Sequence, residues 1–145
     1  MGFKFSLAAV LRLKQSIEKQ EELALQKVLV EISQVQHRME ALTADILHAR
    51  QLLEQAMREM LPAVLVESMT NRIEGAMDRK QELSHALAEL SRQREIQLRK
   101  YQAARNNCQM LHDMQARQQD AHAREREHAE QKFLDEIFAA RAQRS

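Results

Sequence analysis

Apolar residues recur at alternating spacings of 4 and 3 along residues 28–60. The ten positions of this stripe are all apolar, and most residues between them are polar or charged: Val28, Ile32, Val35, Met39, Leu42, Ile46, Ala49, Leu53, Ala56 and Met60. A spacing that averages about 3.5 residues keeps one narrow stripe facing a partner helix, as in a coiled coil. Because a helix of this length cannot bury such a stripe alone, the pattern predicts a second helix packed against it.

A second stripe with the same spacing runs from Val66 to Leu111, and eleven of its fourteen positions are apolar. It begins close to Pro62, the only proline, and proline is tolerated in the first turn of a helix but not in its interior. The pattern therefore favours a tight reversal near Pro62. A loop over 62–70, or one continuous helix kinked at Pro62, would also fit.

The predicted fold class is all-α, a long antiparallel two-helix coiled-coil hairpin in which helix two is longer than helix one. We expect a single domain over residues 1–145, with helix one at about 7–61, the tip at about 60–65 and helix two at about 62–140. Near the start of helix one the stripe is assigned to Val10, Leu13, Ile17 and Ala24. Two successive spacings of 4 then follow, which predicts a local stutter in the coiled coil.

Composition agrees with a thin helical assembly. There are 2 glycines, 1 proline and no tryptophan, so a sheet protein with many turns is excluded. Lys and Arg number 22 against 21 Asp and Glu, and this balance argues against a nucleic-acid binder. A locally basic run contains Arg92, Arg94, Arg99, Lys100 and Arg105. We interpret it as a solvated helix face, and an acidic protein partner is the alternative.

The candidate chemistry is sparse. Cys108 is the single cysteine and falls on the apolar phase of helix two, so a buried structural thiol in a reducing compartment is expected. Glu125-x-x-His128 has the spacing of a carboxylate-bridged metal site, but such a site needs a second motif and two further Glu. Met1 to Leu13 is too short and mixed for a signal peptide or membrane span. We therefore expect no enzyme, no metal site, no cofactor and a cytosolic location.

The two chain ends carry all four phenylalanines, Phe3, Phe5, Phe133 and Phe138. If the reversal lies near residue 62, helix two extends about 20 residues beyond the start of helix one. The extension begins with a charged segment that could persist as a single helix through pairs such as Arg126 with Glu130. Exposed apolar residues beyond it predict a binding end. Local packing of Phe3 and Phe5 along helix two is the alternative.

The start, Phe3-x-Phe5-x-Leu7-x-x-Val10-Leu11-x-x-Lys14, and the close, Glu130-Gln131-Lys132-x-Leu134-Asp135-Glu136-Ile137, together resemble the FliJ family of bacterial flagellar export proteins. The resemblance implies a stalk-like coiled coil, similar to the stalk subunit of rotary ATPases, in the flagellar type III export apparatus. It implies a cytoplasmic protein that is held peripherally at the inner membrane through its partners.

The partners implied by this resemblance are the hexameric export ATPase, the cytoplasmic domain of the export gate and, for some members, export chaperones. The implied ATPase-binding end comprises Phe3, Phe5, Leu7, Val10, Leu11, Phe133, Leu134, Ile137 and Phe138. The implied gate contact comprises Arg38, Leu42, Asp45, Met69, Ile73, Ala76 and Lys80. A stalk protein of virulence-type secretion and a generic coiled-coil scaffold or chaperone dimer are the alternative functions.

Overall fold

The computed structural model describes residues 6–144 of the chain, which form two α-helices and contain no strand. Helix α1 spans Ala8–Arg58 and helix α2 spans Ala63–Arg144. Both are built mainly from Ala, Leu, Gln, Glu, Arg and Met, which are favourable helix formers. The predicted all-α hairpin with a longer second helix is confirmed.

The reversal between the helices is tight and comprises residues 59–62. The N–H of Leu61 donates to the carbonyl oxygen of Ala56 (3.1 Å) and the N–H of Met60 to that of Met57 (3.3 Å). These two bonds form the Schellman motif that closes many helices. Met60 has φ of 55°, the left-handed conformation that the motif requires and that glycine usually supplies.

Pro62 lies directly before α2, where its missing N–H costs no helical hydrogen bond. Its carbonyl oxygen accepts bonds from the N–H groups of Leu65 (3.0 Å) and Val66 (3.2 Å), which starts the helix. Residues 63–70 are helical, so the alternative of a loop over 62–70 is excluded.

The described residues form two compact units, one of residues 22–100 and one of residues 6–21 with 101–144. We call them the central unit and the terminal unit. The prediction of a single domain over 1–145 stays a prediction.

In the central unit, α1 and α2 pack antiparallel through their apolar stripes. Ile46, Ile73 and Ala76 form a buried cluster, and Leu42 and Leu53 pack against it. Nine of the ten predicted positions over 28–60 are buried or half-buried. The exception is Met60, which is 90% exposed because the helix has already ended there.

The predicted stripe at the start of α1 is wrong at Val10 and Leu13, which are exposed, whereas Ile17 and Ala24 are half-buried. Leu13 is 59% exposed, whereas Leu11 is 6% exposed. The side chains that follow Leu11 at spacings of 3 and 4 are half-buried: Lys14, Glu18 and Glu21. This phase leads to Leu25 and Val28 by further steps of 4 and 3, so no stutter is needed. Val10 and Leu13 were assigned to the buried stripe only because they are apolar. The side chains that face α2 instead follow the regular spacing of 3 and 4, although most of them are charged.

The terminal unit contains more of α2 than of α1. Residues 101–144 of α2 accompany residues 8–21 of α1. Every side chain over 123–136 is exposed, and this charged segment is nevertheless helical, as predicted. The expected pair of Arg126 with Glu130 is absent from the ion pairs of residues 6–144. Further along, Gln131 Nε2 donates to Asp135 Oδ1 at 3.1 Å, one helical turn on.

Candidate protein-binding surfaces

The last turns of α2 carry four apolar side chains that we call the C-terminal apolar face: Phe133, Leu134, Ile137 and Phe138. Their spacing places them on one side of the helix. Phe133, Leu134 and Phe138 are exposed, and Ile137 is half-buried. Two exposed phenylalanines within two helical turns form an apolar patch of the kind that marks interaction sites.

The predicted ATPase-binding end also includes residues near the start of the chain. Leu11 is buried against α2 and is therefore unavailable to a partner while the helices are paired. Leu7 is half-buried and Val10 is exposed. Phe3 and Phe5 lie outside the described residues.

A wide groove of about 1080 Å³ lies between the helices of the central unit. Five of the seven predicted gate-contact residues line it: Leu42, Asp45, Met69, Ile73 and Ala76. Gly75 also lines this groove, and a Cβ atom added there would meet nothing within 4 Å. A glycine on this face therefore leaves space on the surface of α2 rather than permitting close helix packing.

Burial separates the predicted gate-contact residues into two kinds. Ile73 and Ala76 are buried in the central cluster. A partner in the groove would therefore contact only the small exposed part of these two side chains. Asp45 is exposed at the groove, and Arg38 is exposed on α1 but is not a lining residue. Lys80 is half-buried and lines a second groove.

The second groove, of about 620 Å³, includes Thr43, Leu47, Arg50 and Met77 in its lining. Arg50 Nη2 contacts Met77 Sδ at 3.5 Å, which joins the two helices across it. Thr43 Oγ1 donates to the carbonyl oxygen of Met39 at 2.8 Å. Because the second groove lies in the same unit as the wide groove, a substitution in the second groove can serve as a control for one in the wide groove.

The reversal exposes an apolar cluster that we call the tip cluster: Met57, Met60, Leu61, Val64 and Leu65. None of these residues is among the predicted contact residues. The sequence feature that could have identified this cluster is the density of apolar residues around Pro62. Five large apolar residues lie within nine positions there, and four of them fall outside the two stripes.

The basic run on α2 is partly neutralised on its own helix. Arg92 Nη2 lies 2.7 Å from Glu89 Oε1, and Arg94 lies 3.9 Å from Glu95. The hydrogen bond from Arg92 lowers the pKa of Glu89 and raises the pKa of Arg92. This local pairing supports the interpretation of the run as a solvated face.

Cys108 is buried, as its position on the apolar phase predicts. Burial raises the pKa of the Cys108 thiol, and a hydrogen bond with Glu18 acts in the same direction. No group of three or more His, Cys, Asp or Glu within residues 6–144 could hold a metal ion. Glu125 and His128 are both exposed on the charged part of α2.

Neither α1 nor α2, over the residues described, contains a stretch that is both long and apolar enough to span a membrane.

A family model described as "Flagellar FliJ protein" matches residues 3–145 of the chain. The match therefore covers both helices and the reversal between them. No curated protein and no solved structure gives a significant match to the chain.

Proposed function

Because the chain belongs to the FliJ family of flagellar proteins, we propose that it is a non-enzymatic component of the flagellar type III export apparatus that binds the export ATPase and the export gate. In this proposal the ATPase ring contacts the C-terminal apolar face, and the gate's cytoplasmic domain contacts the wide groove. Export chaperones are additional partners, and the protein is held at the inner membrane through these contacts.

The observation that carries the ATPase contact is the exposed C-terminal apolar face. Phe133 and Phe138 are exposed on a helix whose preceding turns are strongly charged. Exposed phenylalanines contribute little to the fold, whereas each would contribute a large buried area in a complex. The charged residues over 124–130 supply groups that would orient the helix in a ring.

Binding to the cognate export ATPase tests this contact. We expect the double variant Phe133→Ala with Phe138→Ala to bind at least about tenfold more weakly, because two aromatic anchors are lost. The matched control is Met110→Ala with Met114→Ala, which truncates two other exposed apolar residues of α2 and should leave binding unchanged. Circular dichroism verifies that helix content is retained. Equal binding by both double variants would contradict the proposed contact.

The gate contact is supported by the wide groove and its lining. Its floor is formed by apolar residues such as Ile46, and its rim includes Asp45, Glu67 and Arg72. An apolar floor with charges of both signs at the rim suits an amphipathic protein segment. The space beside Gly75 allows such a segment to approach α2 closely.

Calorimetric titration with the gate's cytoplasmic domain tests the groove. Asp45→Lys reverses a charge at the rim and should weaken binding about tenfold or more by placing the wrong charge against the partner. Thr43→Lys is the control, because Thr43 lines the second groove. Weakening by Thr43→Lys but not by Asp45→Lys would assign the contact to the second groove and refute the proposal.

A further inference from the structure

The first part of α1, residues 8–21 of the terminal unit, meets α2 through a face that is mostly charged. We call this segment the strap. Leu11 is its one buried side chain. The next positions of the same face, Lys14, Glu18 and Glu21, are half-buried. In the central unit the corresponding repeat positions of α1 include Ile32 and Ile46, which are buried.

The two buried side chains on the face of α2 that receives the strap are small. Ala104 and Cys108 are buried there, and Leu111 is half-buried. Small side chains bury little apolar area when the strap packs on them, so the hydrophobic stabilisation is small. The partly desolvated charges of the strap reduce this stabilisation further. At the edge of this contact Gln15 Nε2 lies 3.2 Å from His112 Nε2, and both side chains are exposed. An exposed polar contact adds little stability.

The strap has a second apolar face that the fold leaves largely exposed. Val10 and Leu13 are exposed, and Ile17 is half-buried, at spacings of 3 and 4. These residues formed the stripe that apolarity alone predicts. The strap therefore contacts α2 with its more polar side and leaves apolar side chains in water. Such an arrangement lowers the cost of leaving α2, because little apolar contact is lost.

We propose that the strap is a detachable element that opens from α2 while the central unit stays folded. Opening uncovers Ala104, Cys108 and Leu111 of α2 and releases Leu11, so that Leu11 becomes exposed together with Val10 and Leu13, which are exposed already. The property belongs to the isolated chain and does not depend on the ATPase or gate contacts proposed above.

Thiol labelling of the full chain tests the strap, with Cys108 as the reporter and rates normalised to the urea-unfolded chain. The control is Ala76→Cys in a Cys108→Ala background, which places a single thiol in the central cluster. Cys108 is 3% exposed and Ala76 is 8% exposed, so static exposure predicts slower labelling of Cys108. An opening strap predicts the reverse, with Cys108 labelled at least about tenfold faster. Equal or slower labelling of Cys108 would overturn the proposal.

If Ala76→Cys does not fold, Ala56→Cys in the same background takes its place, since Ala56 is also buried in the central unit. Two variants of the strap then test the cause of opening. Glu18→Leu makes the contact face apolar and also removes the hydrogen bond that raises the pKa of Cys108, so its rate is normalised to the unfolded chain of the same variant. Labelling of Cys108 should then slow at least about fivefold. Arg12→Leu adds the same side chain at an exposed strap position and should leave the rate unchanged. An unchanged rate in Glu18→Leu, or equal slowing in both variants, would contradict the proposed role of the polar face.

Discussion

Ile46 is the residue at which the thin core of the central unit is most directly tested. It is 6% exposed and clusters with Ile73 and Ala76, with Leu42 and Leu53 packed beside it. Ile46→Ala removes three methyl or methylene groups, and about 0.8 kcal/mol for each gives about 2.4 kcal/mol of lost transfer free energy. Ile46 also lines both grooves, so water can fill part of the space and the cavity adds little.

We therefore expect Ile46→Ala to lower the free energy of unfolding by about 2 to 3 kcal/mol, at the lower end of such core truncations. Urea denaturation followed by circular dichroism at 222 nm measures the loss as a lower midpoint with an unchanged slope. The control is Leu47→Ala, the adjacent residue, which is 60% exposed and should change stability by less than about 0.5 kcal/mol. Similar effects of the two substitutions would refute the burial pattern and the register of α1.

Three further predictions concern single positions. Met60→Gly should raise the free energy of unfolding by about 1 kcal/mol in urea, because Met60 holds φ of 55° and glycine adopts it without strain; no gain would contradict that conformation. Gly75→Ala should also stabilise by about 0.5 to 1 kcal/mol, since the added Cβ meets nothing within 4 Å; destabilisation would indicate an unseen contact. The pKa of Cys108 is raised in the folded chain, so the protonated thiol is favoured there. Stability should therefore be fully retained below the unfolded pKa, about 8.5, and fall as pH rises above it. Cys108→Ala should remove this part of the fall in denaturation measured between about pH 8 and 10.

The central unit follows closely from the sequence because its stripes are regular and strongly apolar. Val28 to Ala56 repeats without a polar interruption, so only one face of α1 can be buried. The reversal near Pro62 was predictable for a different reason, since the chain has one proline and the second stripe begins just beyond it.

The terminal unit was harder to predict because its contact face is polar. Val10 and Leu13 are the more apolar choice, yet the helix pairing continued from the central repeat buries Leu11 and half-buries Lys14 and Glu18. Whether a side chain is buried depends on the helix that packs against it. The apolar character of Val10 and Leu13 therefore gave a wrong prediction of which face of α1 contacts α2. Met60 was wrongly assigned to the buried stripe because the spacing of apolar residues does not show where a helix ends.

The candidate binding surfaces were defined by combining the sequence resemblance with the exposure of the side chains. The exposed state of Phe133 and Phe138 agrees with a binding end at the end of α2, whereas burial removes Leu11 from its available surface. The wide groove unites Leu42 and Asp45 of α1 with Met69 of α2, a set that the resemblance implied without showing what lies between them.

We propose above that this member of the FliJ family acts on the export ATPase. The most direct measurement mixes the full chain with the cognate export ATPase and follows ring formation by light scattering, together with ATP turnover. We expect the chain to promote ring formation and raise ATP turnover, and Phe133→Ala with Phe138→Ala to reduce both effects. If neither assembly nor turnover changes when the wild-type chain is added in excess, the proposed function is contradicted.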